Sequence, residues 1–212
     1  MVSSIARGQE EESYKFRFST GLSGGLGQNI HAYKLSADSK GFTYYGIDPH
    51  YSIGVDAGLY VSNKIRIRFE LRYVEMKYGM NWNEPYPDFD KTVTSLYNMD
   101  LNLHFDYSVF RNKHLDFMIS PSIIYEYVMK DEFKNTLADG SVNYKVYNIL
   151  STEYPDNILG GNFSIPVKYK INEYIGVTLT PGYTYFFRNF LLSNDKPYQR
   201  LSINLGAEFL LY

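Results

Sequence analysis

His50-Tyr51-Ser52 is the first place to look for catalysis, because an imidazole beside a hydroxyl can activate a nucleophile when a carboxylate orients the ring. The remaining histidines, His31, His104 and His114, are scattered, and none stands at metal-ligand spacing with a second His. Carboxylates gather in Asn83 to Asp90 and at Asp131-Glu132, but no Asp-x-Asp-x-Asp-Gly loop is present to fix a calcium ion. No glycine-rich phosphate loop follows a strand and opens a helix. With no cysteine, disulfides, thiolate zinc sites and thiol catalysis are all removed. Neither a cofactor nor a metal is expected. A net charge of −2 without a Lys/Arg cluster speaks against nucleic acid.

The charged residues themselves form the most regular constellation. Ile65 to Tyr73 alternates Ile65, Ile67, Phe69, Leu71 and Tyr73 with Arg66, Arg68, Glu70 and Arg72. On a strand that pattern gives one apolar and one charged face. The same design starts at Tyr14 to Ser23 and returns in Tyr51 to Val61, Tyr97 to Val109, Leu115 to Tyr127, Asn162 to Ile171, Ile175 to Arg188 and Leu201 to Leu211. Eight strands follow, with connections alternating long and short. The long ones are 24–50, 83–92, 130–157 and 189–197, and the third could carry a short helix or hairpin of its own. Ser62-Asn63-Lys64, Arg111 to His114 and Asn172-Glu173 are short turns. No run approaches the roughly 18 apolar residues of a spanning helix. The pattern predicts an all-β, eight-stranded antiparallel up-and-down transmembrane β-barrel over residues 13–212. Residues 1–12 are expected to be a disordered leader, with 1–8 the remnant of a signal peptide.

Alternation alone also fits a soluble lipocalin-like carrier with its apolar face inside. Volume separates the two. An eight-stranded barrel encloses little more space than side chains fill, and the apolar face carries rings such as Phe16, Phe18, Phe69, Phe105, Phe117, Phe163, Tyr183 and Phe209. The opposite face is rich in Gly54, Gly58, Ser120, Ser122, Ser164 and Gly182, which leave room for a few long charged chains. The charged face is therefore predicted to line the lumen, and aromatic residues near the strand ends to form two interfacial girdles. The luminal set is expected to comprise Lys15, Arg17, Arg66, Arg68, Arg72, Lys168, Lys170, Arg188 and Arg200 against Asp56, Glu70, Asp100, Asp106, Asp116, Glu126 and Glu208, with His104 as a hydrogen-bond partner between Asp100 and Asp106. Buried charges persist when paired, so the expectation is an ion-pair plug without a continuous pore. Pro121, Pro166 and Pro181 lack ladder donors and mark bulges or corners.

Several stretches carry a resemblance: the Ala6-Arg7-Gly8/Gln9 junction, Tyr14 to Gly24, Ile119-Ser120-Pro121-Ser122, Ser164-Ile165-Pro166-Val167, Leu179 to Tyr183 and Leu205 to Phe209. Through them the chain resembles the small outer-membrane β-barrel proteins of Bacteroidota related to the PorT-like family. The resemblance implies a Gram-negative outer membrane with both termini periplasmic, contact with outer-membrane lipid and lipopolysaccharide, and insertion by the barrel-assembly machinery. It also implies a structural or accessory role toward protein partners, in protein secretion or barrel assembly, and supplies no catalytic residue. His50-Tyr51-Ser52 resembles the His-x-Ser of lipid A deacylase barrels. Ile53-Gly54 departs from that family's pattern, and the register turns His50 and Ser52 inward, so a lipid A-modifying enzyme is the alternative reading.

Overall fold

The computed structural model describes residues 16–31, 42–44, 47–86, 89–148, 157–187 and 198–211. Eleven strands are formed: β1 (Arg17–His31), β2 (Phe42–Tyr44), β3 (Ile47–Tyr60), β4 (Ile65–Tyr86), β5 (Phe89–Arg111), β6 (Leu115–Leu137), β7 (Val142–Asn148), β8 (Asn157–Ser164), β9 (Val167–Lys170), β10 (Ile175–Phe186) and β11 (Tyr198–Leu211). All pair antiparallel. β8 and β9 are two halves of one wall strand, both lying between β6 and β10. The order β11-β1-β3-β4-β5-β6-(β8, β9)-β10 closes through β10–β11 into a ring of eight. Closure leaves no edge in the ring, so each wall strand pairs on both sides.

Local chemistry explains the short turns. Asn112 Oδ1 accepts the His114 and Leu115 amides at 2.8 and 2.7 Å, and Asn172 Oδ1 accepts those of Tyr174 and Ile175 at 2.8 Å each. Ser62 Oγ does the same for Lys64 and Ile65 at 3.2 and 3.0 Å. Side-chain oxygens thus replace the ladder partners that a reversing backbone loses.

Two regions are more strand-like than the sequence pattern suggests. The polar stretch from Gly24 is not loop throughout: β1 runs on to His31 and pairs with Ile47 to Ser52 of β3. Its luminal glycines hide the alternation, because a missing side chain gives no periodic signal. Likewise β4 and β5 pair up to Tyr86↔Phe89; of the short helix or hairpin expected within 130–157, the hairpin is what forms, between β6 and β7. That hairpin turns at Asp139-Gly140, where Gly140 adopts φ 80° and Asp139 Oδ1 accepts the Ser141 amide at 2.8 Å. Pro166 marks the break between β8 and β9; its carbonyl still accepts from the Met118 amide at 2.9 Å. Arg188 and the 189–197 connection lie outside the described residues, as do residues 1–12.

The two faces differ sharply in exposure. Phe69, Ile53 and Leu205 on the outer wall are 51, 65 and 60% exposed, whereas Glu70, Asp106 and Glu126 are at most 1% exposed. The lumen is tight as well as polar. A Cβ placed on Gly27 would lie 2.0 Å from the Leu201 carbonyl and 2.2 Å from the His50 ring, while one on outward-facing Gly24 meets nothing closer than 3.9 Å. Gly27→Ala is therefore expected to destabilise the barrel by about 1–3 kcal/mol, and Gly24→Ala to leave it nearly unchanged. Thermal melting of the two variants in detergent, followed by the gel shift between folded and unfolded forms, checks the contrast.

Candidate functional site

The luminal face is a stack of charge clusters, positioned by register. Nearest the short turns, Tyr60 faces Arg66 across β3–β4, and Arg66 faces Asp106 across β4–β5. Arg66 reaches Asp106 at 2.6 Å and Glu208 at 2.5 Å. Lys168 Nζ donates to Glu208 at 2.9 Å and to the Tyr60 hydroxyl at 2.6 Å, and that hydroxyl donates to Glu208 at 2.7 Å. The Tyr60 ring also carries the Arg17, Arg66 and Lys168 cations 5.2 to 5.4 Å from its centroid. At the rim, Asp116 is fully buried and held by Ser108 and by Arg111 Nε at 2.6 Å.

Mid-barrel, Asp106 accepts Arg68 at 3.3 Å and the Ser120 hydroxyl at 2.5 Å. His104 bridges Ser120 at 3.3 Å and Glu70 at 3.1 Å. Glu70 also takes Arg72 at 2.6 Å and the Ser23 hydroxyl at 3.2 Å, and Arg72 continues to Asn204 at 2.7 Å. Higher still, Arg200 binds Asp100 at 2.6 Å together with Glu126, and lies 4.9 Å over the Phe186 ring. With so many charges in a water-poor interior, each carboxylate needs several donors to offset its lost hydration, and the clusters supply them.

Of the expected luminal residues, Arg66, Arg68, Glu70, Arg72, Asp100, His104, Asp106, Glu126, Lys168 and Glu208 are thus brought together. Arg17 joins them at the rim, over the Tyr60 ring and donating to Asn63 at 3.4 Å, and Arg188 lies outside the described residues. Asp116 and Arg200, expected on the same face, join them, and the uncharged Tyr60, Ser120 and Asn204 of that face complete the network; Arg111 enters it past the register shift between Ser108 and Phe110. The greatest departure is at the other end. There Val74, Met76, Leu96, Ile124, Val128, Ile158 and Phe186 form an apolar layer across the lumen, each at most 5% exposed. The plug is ionic through all three charge clusters and hydrophobic above them, because each of these apolar residues falls on the luminal parity of its strand. Beneath that layer the remaining interior void is about 60 Å³, room for a few waters.

His50 and Ser52 also face inward. Ser52 Oγ lies 3.4 Å from Asn204 Oδ1, and His50 is 2% exposed. Among the described residues no group of three His, Asp or Glu side chains is placed to hold a metal ion.

Beyond the exposed apolar band, β4 to β7 continue as a sheet on the loop side. Its outward face carries Lys77 bound to Glu75 at 2.9 Å, and Tyr97 donating to Glu132 at 2.9 Å beside Lys130. Lys134 lies 5.7 Å from the Tyr144 ring. The Lys130 ammonium, and then the Tyr97 hydroxyl, hold the Glu132 carboxyl below its usual range.

No protein-family profile and no curated protein sequence matches this chain. Among solved structures it is similar to neisserial surface protein A, with 12% identity, a TM-score of 0.48, and coverage of 92% of this chain and 99% of that one. It is similar to Ail, the attachment invasion locus protein of Yersinia pestis, solved in complex with the heparin analogue sucrose octasulfate, with 7% identity, a TM-score of 0.48 and coverage of 93 and 100%. The N-terminal β-barrel domain of Pseudomonas aeruginosa OprF gives 13% identity, a TM-score of 0.39 and coverage of 93 and 100%. At these values the likeness is one of barrel shape and assigns no role to any residue.

Glu70 joins four partners, so Glu70→Ala leaves Arg72 and Arg68 short of a buried counter-charge and is expected to cost about 3–5 kcal/mol. Pairing it with Arg72→Leu should cost clearly less than the sum of the two single changes. Denaturant melts of the four proteins in one detergent measure the coupling; strict additivity would show that Glu70 and Arg72 do not act as a pair.

Proposed function

We propose that this chain is a closed, non-enzymatic β-barrel of a Gram-negative outer membrane. In this reading it spans the lipid with its short turns and both ends on the periplasmic side, and binds a protein partner through the β4–β7 sheet on the far side. The observation that carries the reading is the exposed outer wall. Fully covering a Leu, Ile or Phe side chain stabilises by about 1.5–3 kcal/mol, and dozens of such groups ring this wall. Lipid satisfies them all at once, while the closed ladder pairs the backbone and the lumen holds the charged side chains away from it. The interior is packed, which favours anchoring and recognition over transport. The loop-side sheet is supported as the recognition surface by its mixture of Tyr, Lys and Glu on a rigid ladder. Descent from the small outer-membrane barrels of Bacteroidota, and service in a secretion or assembly complex, belong to the same proposal.

Reconstitution tests both halves. The protein should stay monodisperse in detergent and aggregate in plain buffer, and liposomes containing it should exclude ions and small sugars. A steady ionic conductance in planar bilayers would overturn the closed-lumen reading. For the partner, chemical cross-linking in intact cells should give a discrete higher-mass species that is lost when residues 132–147 are replaced by a two-residue turn while the barrel still folds. Persistence of that species would remove the β6–β7 hairpin from the interface.

A further inference from the structure

The cluster around Arg200 differs from the other two in its charge count. Asp100 and Glu126 face each other across β5–β6, each at most 1% exposed, and both bind the one guanidinium of Arg200. Two carboxylates against one cation leave a net negative charge. Among the described residues no second cation closes the gap. Arg72, the register partner of Asp100 on β4, turns its guanidinium to Glu70 and Asn204. His50 on β3 is near enough to Arg200 and Arg72 to feel their charge, and its Nδ1 is buried with no hydrogen-bond partner, so that atom donates nothing to the pair. Nor does water have easy access. Ile158 is the register partner of Glu126 on β8, Val128 follows on β6, and the Phe186 ring lies against Arg200, so the apolar layer roofs the cluster. A surplus charge in such a place is strongly disfavoured.

The pair also has an atom to account for. Asp100 Oδ1 is buried and meets no N–H or O–H donor among the described residues, whereas buried oxygens ordinarily have one. The Asp100 and Glu126 carboxyl groups lie within hydrogen-bonding range of each other. Ionised carboxylates only accept, so a contact of that kind needs a hydrogen between them. Two carboxyl groups in one site keep a single proton when separate ionisation would set like charges in contact. A metal ion fits less well, because no three His, Asp or Glu side chains converge among the described residues to ligate it.

We propose that Asp100 and Glu126 form a proton-binding site, sharing one proton in the folded barrel, so that the pair counts as a single negative charge against Arg200 and the cluster under the apolar layer is neutral. This does not depend on what either rim binds. Infrared spectra of the folded full chain in detergent at neutral pH test it. Parent-minus-variant difference spectra should show the C=O stretch of a protonated carboxyl, shifted in heavy water, for both Asp100→Asn and Glu126→Gln, because either amide leaves a lone carboxylate facing Arg200. Each amide can donate the hydrogen bond that the proton made, so both single variants should melt within about 5 °C of the parent, whereas the double variant strands Arg200 and should melt at least about 10 °C lower. A missing difference band for either variant, or single variants as unstable as the double, overturns the proposal. So does melting that rises with sodium chloride but not with choline chloride while the band is absent, which would assign the site to a small cation.

Discussion

The whole molecule answers to one constraint: a ring of eight strands leaves an interior so narrow that whatever points inward must fill it and must satisfy itself. Arginines there cannot be hydrated freely, so Arg66, Arg68, Arg72 and Arg200 are held against carboxylates, and Glu70, Asp106 and Glu208 each against two or more donors. Arg66 illustrates the result. It binds Asp106 and Glu208 and stacks by Tyr60, linking β4 to β5, β11 and β3 through a single side chain. Glu70 does the same between β4, β5 and β1 through Arg72, His104 and Ser23. These bridges across the lumen fix the register of strands that are hydrogen-bonded only to their neighbours in the wall.

Glycine and serine make the arrangement possible. Gly58 lies beside the Arg66 stem, Gly176 beside that of Lys168 and Gly54 beside the Glu70 carboxylate, where an added Cβ would stand only 3.1 to 3.2 Å from those side chains. Long charged chains thus reach inward from β4, β5, β6 and β11 while β3 and β10 stay thin. Toward the loops the design changes from ionic to apolar, and Arg200 stands at the junction with two carboxylates on one side and the Phe186 ring on the other. A lumen so occupied holds the barrel's shape from within.

The two rims differ in chemistry. The loop side is a stiff, outward-facing sheet of tyrosines and paired charges, a surface suited to another macromolecule. The turn side is a cavity of mixed charge beside the tight turns, lined by Arg17, Arg111, Lys168 and Lys170 with Asp116, Glu173 and Glu208. Barrel rigidity serves both, since neither rim needs the wall to move.

Alternation in the sequence determined the strands, the even count, the positions of the turns and the inward sense of the charged face, because parity is a property of the backbone alone. Ring volume then turned the aromatic face outward without any coordinates. It could not show that β1 continues through Gly24 to His31, since glycines carry no pattern, or that β4 to β7 extend past the apolar band as paired strands. Which charge meets which was also invisible: Arg66 and Glu208 are 142 residues apart, and their meeting depends on the stagger between strands on opposite walls. The apolar layer around Phe186 was hidden for the same reason. Each of its members reads as a stray hydrophobe on a polar face until the closed ring places them at one height.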